Sequence, residues 1–99
     1  MADDLYYRVV HTNEKDNGQV RLVVNEFRGV EYLHLRQYYL DFEEEWKPTN
    51  KGVSMPIDLV NTRELFAGLI EVLSLAESKQ VILDNFKELI QETYSEDFS

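Results

Sequence analysis

The N-terminal part of the chain alternates between apolar and polar positions, a pattern typical of half-buried β-strands. Leu5–His11 is rich in Tyr and Val, and Val20–Phe27 is rich in Val and Leu. Between them lies a polar stretch that ends in Asp16-Asn17-Gly18, a combination that favours a tight turn. The chain is therefore predicted to begin with a β-hairpin.

A third strand is predicted over Val30–Leu40, after a turn at Arg28-Gly29. Leu33 and Leu35 share one of its faces. The side chains of the other face are polar or aromatic, namely Tyr32, His34 and Arg36. This alternation indicates a strand with one face toward an apolar core and one face available for polar contacts.

The stretch Asp41–Asn50 contains three consecutive glutamates and Pro48, so we expect a connecting loop that cannot pair well in a sheet. Gly52–Met55 then supplies a short fourth strand. The Glu43–Glu45 run lacks the spacing of a calcium loop and is interpreted as a solvated acidic loop.

After Pro56 the apolar period changes from two to about 3.6, which predicts helix. Asn61 with Glu64 forms a possible capping box, and Ser74 with Glu77 repeats that signal. The region is either one kinked helix or two helices. The first apolar stripe consists of Leu65, Phe66, Leu69, Ile70 and Leu73, and the second of Ile82, Phe86, Leu89 and Ile90.

Strands followed by helices, without alternation, predict an α+β chain. We expect residues 1–57 to form a four-stranded antiparallel sheet and residues 58–99 a helical region, together one domain. A chain of 99 residues has a marginal core. Because the first helical stripe offers more apolar surface than one thin sheet can cover, we expect a homodimer whose interface contains Leu65, Phe66, Leu69, Ile70 and Leu73.

Composition narrows the class of protein. The chain has no cysteine, which excludes disulfides, thiolate metal sites and cysteine nucleophiles. Its acidic start is unlike a signal peptide, and no apolar run is long enough to cross a bilayer. We therefore expect an intracellular protein without a membrane partner: in the cytoplasm or nucleoid, or the host cytoplasm, for a bacterial or viral source, and in the nucleus for a eukaryotic one.

If the net charge of −9 were spread evenly over the surface, it would repel phosphates and argue against a nucleic-acid binder. The acidity is concentrated toward the C-terminus, however. From residue 58 to 99 there are nine acidic and three basic side chains, whereas residues 17–40 hold three arginines against two glutamates. A local basic groove on an acidic molecule therefore stays possible.

The sequence shows no catalytic or metal-binding motif. His11 and His34 lie on separate predicted strands without a ligand spacing, and each is interpreted as an ordinary strand residue. No nucleophile elbow or glycine-rich phosphate loop is present. We predict no cofactor, no metal and no enzymatic activity.

Aromatic and basic residues are interleaved in the centre of the chain, at Phe27-Arg28, Tyr32, Arg36, Tyr38-Tyr39, Trp46-Lys47 and Lys51. Such a surface can stack bases and neutralise phosphates. The alternative is that the rings fill strand positions, for which aromatic residues have a high propensity. Spacing alone favours this second interpretation.

Several motifs in order nevertheless resemble the positive cofactor four family of transcriptional coactivators and single-stranded-DNA-binding proteins. The first is Phe27-Arg28-Gly29, followed by the strand that closes in Arg36-Gln37-Tyr38-Tyr39, and then by Lys47-Pro48-Thr49-Asn50-Lys51-Gly52-Val53-Ser54-Met55. The family pattern can be laid on Arg21–Met55 without a gap. The resemblance indicates a compact bacterial or viral member.

The resemblance implies a curved four-stranded antiparallel sheet with a following helix, paired into a dimer, whose β-ribbons bind single-stranded DNA. By position, Phe27 and Tyr39 match base-stacking aromatics, and Arg36, Lys47 and Lys51 match phosphate-facing residues. Arg28 matches a basic turn position, and we add Trp46 to the expected nucleic-acid-binding set. The implied partners are single-stranded DNA, a second copy of the chain, and transcription or replication proteins.

The chain also departs from the family pattern. Tyr39 stands where a Trp is familiar, and Asn25, Val30 and Asn50 stand where relatives often carry basic residues. The segment between Met55 and Asn61 is longer than usual, the region after Ser74 is additional, and no Ser-rich basic leader precedes the sheet. These departures keep open an alternative, a protein-interaction module that retained the fold and lost the DNA groove.

Overall fold

A computed structural model of the chain describes residues 4–98. Four strands are followed by two helices, which confirms the predicted α+β class. The strands are β1 (Tyr6–Asn13), β2 (Gly18–Phe27), β3 (Val30–Leu40) and β4 (Trp46–Pro56), and the helices are α1 (Leu59–Leu73) and α2 (Lys79–Phe98). The strands form one antiparallel sheet in the order β1-β2-β3-β4.

The central β2–β3 hairpin closes through a two-residue turn at Arg28-Gly29. Both residues have positive φ angles, 52° and 80°, as the favoured hairpin turn of this length requires. Gly29 adopts this conformation without strain. From this turn the pairing runs without a bulge from Phe27 opposite Val30 to Gly18 opposite Tyr39.

The regular pairing separates the two faces of the sheet. One face, called here the polar face, carries Arg21, Asn25, His34, Arg36 and Ser54, because each cross-strand pair shares a side. The opposite face is apolar and carries Leu22, Val24, Leu33, Leu35 and Val53. This division confirms the alternation expected for the third strand.

The prediction of a loop over Asp41–Asn50 is wrong beyond Glu45, and the fourth strand is longer than Gly52–Met55. The Asp41 carboxylate accepts bonds from the backbone N–H groups of Glu43 and Glu45 at 2.9 and 3.0 Å, which closes a tight turn. β4 therefore begins at Trp46. Pro48 is tolerated because β4 is an edge strand, where a missing N–H need not break the ladder.

A bulge in β4 lies between Pro48, which pairs with Tyr38, and Gly52, which pairs with Arg36. The Thr49 hydroxyl donates to the Gln37 carbonyl at 2.8 Å and accepts from the Lys51 N–H at 3.1 Å. These bonds satisfy backbone groups that the bulge removes from the ladder.

Both helix starts differ from the sequence-based expectation. The Asp58 carboxylate, rather than Asn61, caps α1, because it accepts the Asn61 N–H at 2.7 Å. The Asn61 side-chain amide instead donates to the Pro56 carbonyl at 3.1 Å. Ser78 caps α2 through a bond from the Val81 N–H at 3.3 Å, whereas Ser74 terminates α1. The helical region is thus two helices.

The chain divides into two compact units, one ending at Asn61 and the other beginning at Thr62. In the first unit Val23 and Tyr38 are buried. In the second unit Ile82 is buried, and the Phe66 and Phe86 rings meet edge to face with centroids 5.4 Å apart. The interpretation of residues 1–57 and 58–99 as one domain stays a prediction.

We expect Asp58→Ala to lower the free energy of unfolding by about 0.5–2 kcal/mol, because the first turn of α1 loses its side-chain acceptor. Urea denaturation followed by circular dichroism measures this change. Glu64→Ala is the matched control. It removes the carboxylate that the sequence pattern pairs with Asn61 in a capping box, which the structure does not use. An equal loss in both variants would contradict the assignment of Asp58 as the cap.

Candidate functional site

Arg21 lies at the centre of an aromatic cage on the polar face. Its guanidinium carbon is 4.6 Å from the Tyr38 ring centroid, 4.9 Å from that of Tyr7 and 5.9 Å from that of Trp46. Its Nε donates to Gln19 Oε1 at 2.8 Å. Rings from three strands and one amide from the remaining strand, β2, therefore surround one cation, an arrangement stabilised by cation–π attraction.

His34 and Arg36 belong to a hydrogen-bonded chain beside this cage. His34 Nε2 is 2.8 Å from Asn25 Oδ1, and His34 Nδ1 is 2.5 Å from Ser54 Oγ. Because an amide oxygen only accepts, Nε2 carries the proton. Nδ1 of neutral His34 therefore accepts a hydrogen bond from the Ser54 hydroxyl. Arg36 donates to Ser54 Oγ at 3.4 Å and to the Thr49 carbonyl at 3.0 Å.

This environment shifts two titrations. Partial burial, helped by the nearby Arg36 charge and opposed by Asp4, lowers the pKa of His34. Burial, with a further contribution from Asp4, raises the pKa of the Tyr38 phenol. Both groups are therefore neutral at pH 7 and act in the site through hydrogen bonds and ring faces.

Gly52 allows β4 to approach Arg36 closely. A Cβ atom at this position would lie 2.6 Å from the Leu35 carbonyl oxygen and 2.9 Å from the Arg36 Cα. Both atoms belong to the backbone and cannot rotate away. The glycine of the Lys-Gly-aliphatic motif thus has a steric role, which is to keep the strand beneath Arg36 in register.

Phe27 and Arg28 form a second aromatic–basic pair at the tip of the central hairpin. The Phe27 side chain is 59% exposed, and the Arg28 guanidinium carbon lies 5.0 Å from its ring centroid. This exposure disfavours the interpretation of Phe27 as a core residue. Phe27 shares the polar face with Arg21 and Asn25 because β2 alternates regularly.

Tyr39 and Lys47 lie at the other end of the sheet and pair with each other across β3 and β4. Tyr39 is 47% exposed, and its odd position in β3 places it on the face opposite to His34 and Arg36. Lys47 Nζ is 2.9 Å from Glu45 Oε2, and this bond raises the Lys47 pKa. The pair is exposed, so water screens it and it stabilises the fold little.

The structure thus brings together only part of the predicted nucleic-acid-binding residues. Arg36 and Trp46 share the polar face with Phe27, whose neighbour Arg28 lies at the same hairpin tip, whereas Tyr39 and Lys47 form a separate group. Counting along β3, Phe27 and Tyr39 are about 30 Å apart at roughly 3.3 Å per residue. Lys51 is exposed in the bulge.

The sequence analysis did not predict that Asn25, His34 and Ser54 form one hydrogen-bonded group with Arg36, or that Arg21 lies opposite Arg36. A signal was available for part of it: once the turn is placed at Arg28-Gly29, the residue numbers of each β2–β3 pair sum to 57, as for Arg21 and Arg36. Ser54 could not be placed in this way, because the bulge in β4 breaks simple counting.

Two further features bear on the class of site. Within residues 4–94, whose side chains the structure describes, no three His, Asp or Glu side chains gather closely enough to hold a metal ion. Over residues 4–98, neither helix combines the length and the apolar character needed to cross a membrane.

The chain has a four-stranded antiparallel sheet with a basic and aromatic polar face, followed by two helices. Comparisons with known proteins point to one family with this class of fold. The family model of transcriptional coactivator p15 (PC4) matches residues 15–62. A solved bacteriophage T5 homologue of the eukaryotic coactivator PC4 is 37% identical, with a TM-score of 0.70, and the match covers 88% of this chain and 96% of that one. The chain belongs to the PC4 family, which confirms the resemblance found in the sequence.

The bacteriophage T5 protein is described as implicated in recombination-dependent DNA replication. A PC4 homologue from Burkholderia pseudomallei is 22% identical, with a TM-score of 0.49, and the match covers 79% of this chain and 92% of that one. No curated protein sequence matches the chain.

We expect protonation of His34 to destabilise the fold. Because its pKa is lowered in the folded chain, the unfolded chain takes up the proton first. Stability is therefore full above the unfolded value of about 6.5 and is lost as the pH falls from there through the folded value. Urea denaturation at a series of pH values between 7.5 and 5 measures this loss.

His34→Gln should flatten that part of the pH profile, whereas His11→Gln, on exposed β1, should leave it in place. A His34→Gln profile identical to that of the original chain would show that the network does not disfavour the charged ring.

Proposed function

We propose that this chain binds single-stranded DNA through the polar face of its sheet and acts in transcription or in DNA replication and recombination. The observation that carries this proposal is the pair of arginines on that face, Arg21 and Arg36. Neither has a carboxylate within 4.0 Å among the described residues. Uncompensated cations beside aromatic rings are what a single strand needs for its phosphates and bases.

The site residues have distinct roles in this proposal. Phe27 stacks on a base at the hairpin tip, where Arg28 can leave its ring face and contact a phosphate. Arg36 binds phosphate at the centre of the polar face, in a cavity that Trp46 also lines. Tyr39 and Lys47 lie on the opposite face at the other end of the sheet, so a bound strand would reach them by passing around the β4 edge, where Lys51 is exposed in the bulge. Tyr39 would therefore contact a different nucleotide from Phe27.

Lys47 is already paired with Glu45, so phosphate must replace that carboxylate. The exchange costs little because the pair is exposed.

The bacteriophage T5 relative supports the assignment to replication and recombination, because it is implicated in recombination-dependent DNA replication. Identity of 37% over 88% of this chain makes a shared process a reasonable proposal. We further propose that the site binds DNA without catalysing a reaction, since its arginines are positioned by neutral hydrogen bonds and ring faces, as a binding surface requires.

Binding should favour single strands over duplex DNA. In a duplex the bases are stacked on each other, so their faces are hidden from Phe27 and Tyr39. The overall charge of −9 adds to this preference, because it repels the denser charge of a duplex.

A second candidate function is a protein-interaction module that retained the fold. The charge of −9 and the pairing of Lys47 with Glu45 favour it, because both weaken attraction to phosphate. Retention on single-stranded-DNA resin at low salt, with release at higher salt, is expected only for the DNA-binding function.

The proposed roles of Phe27 and Tyr39 are tested by fluorescence titration of a labelled single strand. Phe27→Ala and Tyr39→Ala should each weaken binding by about 1–3 kcal/mol through lost stacking. Thermal melting should change little, because both rings are largely exposed. Phe42→Ala is the matched control, since Phe42 is a fully exposed ring in the β3–β4 turn. Melting losses in place of binding losses would contradict the stacking role.

We also propose that the chain is a homodimer that uses the first stripe of α1. Leu65, Phe66, Leu69 and Leu73 are 38%, 42%, 56% and 37% exposed within the single chain. This surface lies on consecutive turns of one helix face, and a second copy could cover it. Self-association would then compensate for the small core of the chain.

Leu69→Asp should convert the dimer to monomer or unfolded chain, because it places a charge within the apolar stripe. Analytical ultracentrifugation measures the mass, and thermal melting measures the stability. Val60→Asp is the control, since Val60 is similarly exposed, at 71%, but lies on the side of α1 opposite to the stripe. A Leu69→Asp variant that stays dimeric and equally stable would rule out this interface.

A further inference from the structure

Arg21 and Arg36 are direct cross-strand partners on the polar face. Side chains in such positions have Cβ atoms about 4.5–5.5 Å apart, and like charges directly opposite each other repel. The described residues supply no carboxylate within 4.0 Å of either guanidinium. The sheet therefore holds two cations together without neutralising them.

Neutral groups position both guanidiniums, and the N–H donors of the Arg21 terminal nitrogens stay available for a ligand. The rings of Tyr7, Tyr38 and Trp46 contact Arg21 by their faces, and Gln19 accepts only from its Nε. Among the described residues nothing accepts from the two terminal nitrogens of Arg21. These nitrogens form a planar fork, the geometry that binds two oxygens of one phosphate.

The two arginines line a common cavity of about 540 Å³ on this face. Neutral polar groups of Asn25, His34 and Asn50 also line it. Asp4 is the one carboxylate among its lining residues, and it is beyond ion-pair distance of both arginines. The cavity is thus open, net positive and lined with further hydrogen-bonding groups.

We propose that Arg21 and Arg36 together bind one backbone phosphate of a single strand, with Tyr7, Tyr38 and Trp46 as the residues that position Arg21. This inference rests on the proposed function and adds Arg21 to the phosphate-binding residues that the family resemblance implies. The phosphate relieves the repulsion between the two cations. Trp46 thereby acts through Arg21, in addition to any contact of its own with a base.

The test is a titration of labelled oligothymidylate at several potassium chloride concentrations. Arg21→Gln and Arg36→Gln should each weaken binding, and the two changes together should flatten the slope of log K against log salt by about 0.7, the contribution of the one phosphate that both arginines contact. Arg21→Lys should keep most of that slope, because it keeps the charge. Arg63→Gln, an equal charge change at an exposed position on α1, should leave the slope unchanged.

A second measurement needs no DNA: thermal melting in sodium phosphate and in sodium chloride at matched ionic strength. Phosphate should raise the melting temperature of the original chain above its value in chloride. This rise in melting temperature should disappear in Arg21→Gln and in Arg36→Gln, and it should persist in Arg63→Gln.

The outcomes separate this inference from the proposed function. In the variant that carries both Arg21→Gln and Arg36→Gln, an unchanged slope, or a slope flattened by about 1.4 as for two separate phosphates, would overturn the paired site and leave DNA binding intact. If the chain does not bind single strands but phosphate still raises its melting temperature in a way that requires Arg21, the proposed function is wrong. The site would then bind an anion, and the DNA strand would not be its ligand. Absence of both effects would overturn both proposals.

Discussion

The two-residue turn at Arg28-Gly29 sets the register of the central hairpin, and the polar contacts of the site depend on that register. Its positive φ angles close β2 onto β3 without a bulge. As a result Arg21 faces Arg36 and His34 comes within reach of Asn25. A shift of one residue would move every side chain of one strand to the other face and disperse these contacts.

The same register explains how an acidic chain can present a basic surface. Net charge governs solubility and long-range attraction, whereas a bound phosphate responds to the charges a few ångströms away. On the polar face those charges are Arg21 and Arg36, held by ring faces and neutral oxygens. The phosphate-binding potential of the face therefore depends on two side chains that no described carboxylate neutralises.

Much of the fold could be predicted from the sequence, because alternation and turn residues are local signals. The hairpins, the division of β3 into two faces and the change to helix after Pro56 follow from them. Other features depend on contacts distant in sequence. The Arg21 cage draws rings from three other strands, and β4 accepts Pro48 only because it is an edge strand. Asp58 and Asn61 are both good caps, and only the geometry distinguishes them.

The central claim is that a single strand binds to the polar face of the sheet. The most direct test is an NMR titration of the isotope-labelled chain with an unlabelled oligothymidylate, followed through the backbone and arginine side-chain signals. If the strand binds there, the largest shifts occur at Arg21, Asn25, His34 and Arg36. Shifts confined to α1 and α2, or no shifts at low salt, would contradict this claim.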